Sequence, residues 1–503
     1  MIAIYTTESY LSAVKQIIAG EYRLEELVTV HAIDTSEPDA SADVLLVGEQ
    51  GITLAIDWLN LAPPIILQQP IAFTPENLLG LVFARLGNYE RAYPLLAREH
   101  ALLAQLDLHV QLAQNIIFET LPAAGTDYVS IHNAAVLAHY GELENPVGYD
   151  DIRLLYRQAL AAAPNDELKA FTAKHYATLL ADTGDIKNAE RLLLDAIPYA
   201  LSDAAKISLK TLLSSIWLAK LVVPYDKLLM EQLKELLWEC LQYYEKKKLS
   251  IQAAFVLLDA SAVANYDASF SESLGYICKA IDLLRREEQP ELLAQAHMRK
   301  GNLLFTWAQN GNTQFYKGAM EALQEAAKVF TREHAPQQFA DIQHVLGIIF
   351  SEIPDEAKKK SVWAAVSSSS FKEALQYYTK EEFPYEYATI CNHYANAYIK
   401  YPASRNSDNV AKALDLFNEA LAIRRADTYP VERALTLLNY IEASWYADNS
   451  AEPMQMQQNR LKDMHEKLQE IRLLSQDETI LAEVKAHEQK LQELTLLLES
   501  NTG

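Results

Sequence analysis

The sequence has little glycine or proline and few cysteines. It contains 15 glycines and 18 prolines among 503 residues, and this scarcity argues against an all-β protein, which needs many tight turns. Its three cysteines, Cys240, Cys278 and Cys391, lie far apart and form no C-x-x-C spacing. We therefore expect free thiols in a reducing compartment rather than a disulfide framework.

Positive charge and long apolar runs are also lacking. There are 44 Lys and Arg against 67 Asp and Glu, a net charge of −23. Nucleic acids and anionic lipids are bound through clustered basic side chains, so we expect neither as a partner. The first residues lack the basic and apolar regions of a secretion signal, and no apolar run is long enough for a membrane helix. These features predict a cytoplasmic chain that binds neither nucleic acid nor membrane.

The sequence motifs of common catalytic and nucleotide sites are missing. No G-x-x-x-x-G-K-[ST], G-x-G-x-x-G, H-E-x-x-H or G-x-S-x-G occurs. The closest pair of metal-binding residue types, Cys391 and His393, lies two residues apart on a predicted helix, so the two side chains point in different directions. We expect no metal and no cofactor, and interpret the chain as non-enzymatic.

What the sequence does contain is an internal repeat between residues 277 and 445. Prolines recur at intervals of 46, 48 and 46 residues, with an alanine four positions after each, an alanine ten before, and a large apolar residue three further back. Self-similarity at such a period predicts a solenoid. The positions are Pro290, Pro336, Pro384 and Pro430; Ala294, Ala340, Ala388 and Ala434; Ala280, Ala326, Ala374 and Ala420; and Ile277, Leu323, Phe371 and Phe417.

Each repeat predicts a pair of helices. Proline suits the first turn of a helix and not its interior, so each proline should begin a first helix, for example over residues 384–400. A second helix, for example over 409–424, then packs back on it. The alanines let helix axes approach to roughly 8–10 Å. One such pair cannot bury both of its apolar faces, so neighbouring pairs must stack.

These residues resemble the tetratricopeptide repeat (TPR) family. Gly301, Gly347 and the Tyr394-Ala395 pair stand where that family has its small residue on the first helix, and Ala413, Phe417 and Ala420 stand at the small, aromatic and small positions of the second. The period of 46–48 residues exceeds the 34 of the family and is similar to its lengthened variant in bacterial signalling and scaffold proteins. The resemblance implies a mainly α fold: a TPR-like α-solenoid of stacked helical hairpins, with a small α/β domain before it.

Residues 1–70 alternate between strand and helix patterns, which predicts a small α/β domain with a parallel sheet. The order resembles half of a response-regulator receiver domain with residues 43–47 as the central strand. The acidic residues that hold Mg²⁺ in a receiver are missing, so we expect a structural or partner-docking role and not phosphoryl transfer. The predicted strands cover residues 2–5, 27–33, 44–47 and 64–67, and the predicted helices 7–18 and 52–59.

The remainder divides into three predicted segments: irregular TPR-like repeats over 72–270, regular repeats over 271–450, and a charged helical hairpin or cap over 451–503. In the last helix, apolar residues step 4-3-4-3-4, a narrow seam suited to helix pairing. Two alternatives follow: the hairpin folds back to cap the array, or the seam mediates self-association or binds a partner helix. The seam residues are Ile480, Val484, His487, Leu491, Leu494 and Leu498.

The TPR resemblance implies that the first helix of each pair lines a concave groove. Asparagines and aromatic residues there suit an extended peptide, because amides bond its backbone and rings bury its side chains. The family's lysine-asparagine clamp for chaperone tails is not matched, since Met298 and Asn392 stand where lysine would. The candidate partner-binding residues are Met298, Asn302, Phe305, His344, Asn392, Asn396, Ile399, Leu438 and Trp445.

Two functions from different classes fit these features. The first is a scaffold or adaptor that binds a protein or peptide in its groove; the acidic chain favours a neutral or basic partner. The alternative is a regulator whose α/β module senses a ligand or docks a partner and signals through the repeats.

Overall fold

The computed structural model describes residues 2–33, 44–122, 125–354, 356–403, 408–447 and 453–500. It divides into two compact units, Met1–Val263 and Ala264–Gly503, called unit 1 and unit 2 below. The four predicted segments stay a prediction.

Unit 1 begins with a four-stranded sheet of order β2-β1-β3-β4. Strand β1 is parallel to β2 and to β3, and β4 is antiparallel to β3. Ile4 of β1 lies between Val30 and Leu45 in register, and helix α1 covers the sheet with Val14 and Ile18. The elements are β1 (Ile2–Thr6), α1 (Glu8–Ala19), β2 (Val28–Ala32), β3 (Val44–Gly48) and β4 (Gly51–Leu54).

Two of the predicted elements in this region are wrong, and residue 43 of the predicted central strand lies outside the described residues. Residues 52–59 are not helical, because the chain reverses after Gly48 and Gly51, at φ +117°, starts β4. Short apolar runs do not distinguish helix from strand by period. Residues 64–67 form no strand. They belong to an irregular segment, residues 55–69, which we call the strap. It turns at residues 58–59, and side chains of neighbouring helices bond part of its backbone.

Helical hairpins follow the strap. Thr74 caps the first of them through its hydroxyl, which accepts from the Asn77 N–H at 3.1 Å, and Pro75 occupies the first turn. The core of the sheet continues into this hairpin, so the α/β module and the first helices share one apolar cluster. The helices are α2 (Pro75–Arg85), α3 (Tyr89–Leu95), α4 (His100–Ala113), α5 (Tyr128–Tyr140), α6 (Tyr149–Ala162), α7 (Asp166–Asp182), α8 (Ile186–Ala196), α9 (Asp203–Lys220) and α10 (Lys227–Lys246).

The regular repeats have the predicted form. Pro290, Pro336, Pro384 and Pro430 each occupy the first turn of a helix. The helices are α11 (Ser250–Tyr266), α12 (Phe270–Leu284), α13 (Pro290–Gln309), α14 (Tyr316–Ala327), α15 (Pro336–Glu352), α16 (Ala357–Tyr377), α17 (Pro384–Lys400), α18 (Asn409–Ile423), α19 (Pro430–Ser444), α20 (Met454–Leu474) and α21 (Glu478–Ser500).

The repeat residues form the contacts between these helices. All eight repeat alanines and the four large apolar residues are buried, none more than 2% exposed. Each first helix packs on its own second helix, as in α13–α14, α15–α16 and α17–α18, and also on the next first helix, from α13 through α15 and α17 to α19. This one-directional stacking confirms the predicted TPR-like α-solenoid in unit 2.

The C-terminal helices fold back on the array. Met464 and Leu468 of α20 and Val484 and Leu491 of α21 are buried in one cluster with Ile441 of α19. Val484 and Leu491 of the α21 seam therefore pack inside the chain, and the side chain of Leu498 lies outside the described residues. Self-association through these helices stays a prediction.

A first helix has glycine where the neighbouring helix packs closely against it. A Cβ on Gly301 would lie 2.5 Å from Leu323 Cγ and 3.2 Å from the Ala319 carbonyl oxygen. Leu323 is fully buried and has no room to move. A Cβ on Gly275, in the neighbouring helix α12, would meet nothing within 4 Å.

We predict opposite effects for the same substitution at these two glycines. Gly301→Ala should lower the free energy of unfolding by about 1–3 kcal/mol through overpacking, whereas Gly275→Ala should raise it by about 0.5–1 kcal/mol because alanine favours a helix. Urea unfolding followed by circular dichroism measures both. Equal stability of the two variants would contradict the packing at Gly301.

Candidate functional site

A groove of about 830 Å³ lies along the first helices of unit 2, and we call it the unit 2 groove. Each of four successive first helices supplies residues from its C-terminal half. The lining residues are Phe305 and Gln309 from α13; Ile348, Ser351 and Glu352 from α15; His393, Asn396, Ala397, Ile399 and Lys400 from α17; and Asn439, Glu442, Ala443 and Tyr446 from α19 and the residues after it.

Three of the nine candidate residues meet in this groove. Phe305, Asn396 and Ile399 line it from two helices, and each is half-buried. An aromatic ring, an amide and an aliphatic side chain are thus brought together, as the TPR resemblance implies. Whether they contact a partner stays a prediction.

Four candidates lie before the groove residues of their helices, toward the N-terminal ends, and pack inside the array. Met298, His344, Asn392 and Leu438 each stand three residues before the small or crossing position of their first helix. Asn392 and Leu438 are buried, and Asn392 Oδ1 accepts from Asn439 Nδ2 at 3.2 Å. Met298 packs against the apolar cluster around Leu323.

The last two candidates are also placed outside the groove lining. The Oδ1 atom of Asn302 is buried and has no hydrogen-bond partner among the described residues. Trp445 packs against the C-terminal helix: its Nε1 donates to His487 Nδ1 at 3.0 Å, the two rings stack, and Lys490 Nζ lies 4.1 Å from the indole centroid. Its ring therefore contributes to the cap.

Sequence reasoning missed the groove residues that lie near the C-terminal ends of the first helices. Gln309, Ser351, Lys400 and Tyr446 belong to this set, which also includes Glu352, His393 and Asn439. They follow the nearest preceding candidate by one to eight positions. The repeat pattern does not predict the position of these residues, because it depends on which residues are buried.

An ion pair between Glu352 and Lys400 lies in the groove. Glu352 Oε1 accepts from Lys400 Nζ at 2.5 Å, and Glu352 Oε2 accepts from the Tyr316 hydroxyl at 2.5 Å. Burial, followed by this carboxylate, raises the pKa of the Tyr316 hydroxyl. Glu352 and Lys400 also line a second cavity of about 660 Å³, beside Tyr316, Phe350 and Trp363. Glu442, on the other side of the groove, is exposed.

A histidine pair joins two first helices beside the groove. His344 Nε2 and His393 Nδ1 lie 2.8 Å apart, and the rings stack with centroids 5.0 Å apart. Burial, followed by the neighbouring His393, lowers the pKa of His344 to about 3, and burial, followed by the positive charge of Arg424, lowers the pKa of His393 to about 4. Both rings are therefore neutral at pH 7, and one donates to the other.

The described residues contain no group of three or more histidine, cysteine or acidic side chains placed to hold a metal ion. Within the same residues, no helix is long and apolar enough to cross a membrane. Cys391 is buried and His393 lines the groove, so the two side chains do point in different directions.

No protein-family profile matches the chain, and no curated protein matches it in sequence. Among solved structures, it is similar to a signal-transduction ATPase with numerous domains (STAND) from Pyrococcus horikoshii that has a tetratricopeptide repeat sensor. The two are 13% identical, the match covers 93% of this chain and 80% of that one, and the TM-score is 0.48. The chain is also similar to the TPR domain of P58(IPK), at 11% identity, with 84% and 98% of the chains covered and a TM-score of 0.21.

The stacking of the helices decides the fold. First helices contact one another in series, second helices pack behind them, and alanine or glycine stands at most of the crossings. The chain is a TPR-like helical repeat protein. In this TPR-like protein the groove is a product of the stacking and not of any one hairpin, because its walls come from four hairpins.

The histidine pair predicts a loss of stability in mild acid. A histidine of an unfolded chain gains its proton near pH 6.5, whereas His344 and His393 stay neutral in the fold down to about pH 4. Between these values the unfolded chain binds more protons, so stability falls as the pH is lowered, by up to about 2 kcal/mol per histidine at pH 5.

Urea unfolding at pH 7.5 and pH 5 would measure this effect. The double variant His344→Gln, His393→Gln should lose less stability over this interval than the wild type does. The other buried histidines are common to both proteins and cancel in the comparison. An unchanged pH dependence in the variant would show that the pair is not held neutral.

Proposed function

We propose that this TPR-like protein is a non-enzymatic adaptor that binds an extended segment of another protein in the unit 2 groove. The observation that supports this proposal most is the convergence of Phe305, Asn396 and Ile399 with polar side chains from four helices. An extended peptide presents a backbone donor and acceptor at each residue, which amide side chains bind, and alternate side chains, which apolar surfaces bury.

The charge of the groove favours a basic segment. The negative charge of Glu352 is balanced by Lys400. His393 and Asn439 each form a hydrogen bond to a side chain of the preceding first helix. Glu442 is left as the exposed carboxylate of the lining. Electrostatic complementarity with a lysine or arginine of the partner would guide its orientation and speed its association.

The groove can be tested with peptides selected from a random display library on the full-length protein. The double variant Asn396→Ala, Ile399→Ala should bind the selected peptides about 10- to 100-fold more weakly, since a lost backbone hydrogen bond and a lost apolar contact together contribute about 1.5–3 kcal/mol. Fluorescence anisotropy measures the affinity.

The matched control is Asn418→Ala, which removes an exposed asparagine from the second helix α18. It should leave the affinity unchanged. A loss equal to that of the groove variant, or selected peptides that bind the groove variant normally, would remove the support for this site.

The charge assignment makes a separate prediction about salt. Glu442→Gln should slow association of the basic peptides about 2- to 5-fold at low ionic strength and have little effect at high salt, where a surface charge is screened. Stopped-flow mixing at two salt concentrations checks this expectation. Selection of acidic peptides would contradict it.

A further inference from the structure

The strap, residues 55–69, lies across first helices of unit 1 and is held by them one after another. Helices α5, α7 and α9 contact each other in series, as first helices do in a TPR-like array. Each of the three supplies at least one buried polar side chain that bonds the strap backbone: His132 and Asn133 from α5, Lys174 from α7 and Ser208 from α9.

One of these contacts uses both polar atoms of an amide side chain. Asn133 Oδ1 accepts from the Ile66 N–H at 2.8 Å, and Asn133 Nδ2 donates to the Ile66 carbonyl at 2.8 Å. The side chain satisfies one residue of extended backbone as a neighbouring β-strand would. Such a contact binds the backbone of the residue and is independent of its side chain. Surfaces that bind extended peptides use backbone contacts of this kind.

The carbonyl groups of the strap are bound in the same manner. Trp58 O accepts from Lys174 Nζ and from Ser208 Oγ, both at 2.9 Å, and Lys174 Nζ also donates to Asn60 Oδ1 at 2.8 Å. His132 Nε2 lies 3.0 Å from Pro64 O and must donate, because a carbonyl only accepts. Burial lowers the pKa of Lys174 to about 7, and the negative charge of Asp57 opposes this shift.

Two strap side chains enter the core beneath. Trp58 is 4% exposed and meets Phe171 of α7 edge to face, with centroids 5.4 Å apart, and Ile66 is 8% exposed in the same cluster. Pro63 and Pro64 lie between the two anchors. Each proline fixes the φ angle of its residue and removes an N–H group that would need a partner.

We propose that the concave face of α5, α7 and α9 is a second peptide-binding surface, and that the strap is its resident ligand. The face accepts a proline-containing, non-helical segment of another protein, with a buried aromatic anchor, in place of the strap. The strap is therefore autoinhibitory: its release uncovers four buried polar side chains already placed to bond a peptide backbone. This surface differs from the unit 2 groove in its occupant, its anchors and the absence of an exposed acid among its binding groups.

A labelled peptide with the strap sequence, AIDWLNLAPPIILQQ, tests the proposal on the full-length protein. A tethered segment competes at an effective concentration of about millimolar, so the wild type should bind the peptide weakly. The double variant Trp58→Ala, Ile66→Ala removes both anchors of the resident strap and should bind the peptide at least 10-fold more tightly. Adding Asn133→Ala to this variant should reverse the gain, while adding Asn418→Ala should not.

Two results would overturn the proposal. One is a folded double variant, with the circular dichroism of the wild type, that binds the peptide no better than the wild type does. The other is a gain in binding that Asn133→Ala leaves intact. Neither result bears on the unit 2 groove, whose variants are tested with different peptides.

Hydrogen exchange of the unsubstituted protein provides a test that does not depend on the variants folding. If the strap detaches from a folded array, the Ile66 amide should exchange through a local opening, at least 10-fold faster than the core amides of α7. Excess unlabelled peptide should increase this exchange by holding the face open. Exchange of Ile66 at the rate of the α7 core, with or without peptide, would show that the strap is a fixed part of the core.

Discussion

The structure depends on how closely helices approach one another at alanine and glycine. Ala340, Ala388 and Ala434 are fully buried, and at Gly301 no space is left for a single added carbon. Close approach places each first helix against the next, which makes the stacking regular and leaves one open side along the first helices. The groove of unit 2 exists because this approach is repeated three times, between four successive first helices.

Stacking also decides what happens to polar side chains on the first helices. In unit 2 they bond across to the next first helix, as His344 does with His393 and Asn392 with Asn439. In unit 1 the corresponding helices direct His132, Asn133 and Lys174 to the backbone of the strap. Both arrangements satisfy buried polar groups, which would otherwise destabilise the fold. Only the second involves a non-helical segment of chain, and this makes it a template for peptide binding.

The predicted and observed folds agree best where the local sequence pattern is strong. Prolines at helix starts and buried alanines at fixed spacing are local rules, and they placed the starts of α13, α15, α17 and α19 correctly. The region before α2 has short apolar runs, and there the predicted helix over 52–59 and the strand over 64–67 are wrong. The turn at Gly51 and the prolines of the strap determine those segments.

The sequence by itself determined the repeat, its period, the helices that each proline begins and the residues buried between them, because these are set by steric rules within one or two hairpins. Only the tertiary structure decided which residues face the open groove. It moved the lining toward the C-terminal ends of the first helices and placed Trp445 against His487 in the cap. It also placed the strap on α5, α7 and α9. These contacts join residues far apart in the chain, and their geometry depends on how several hairpins stack together.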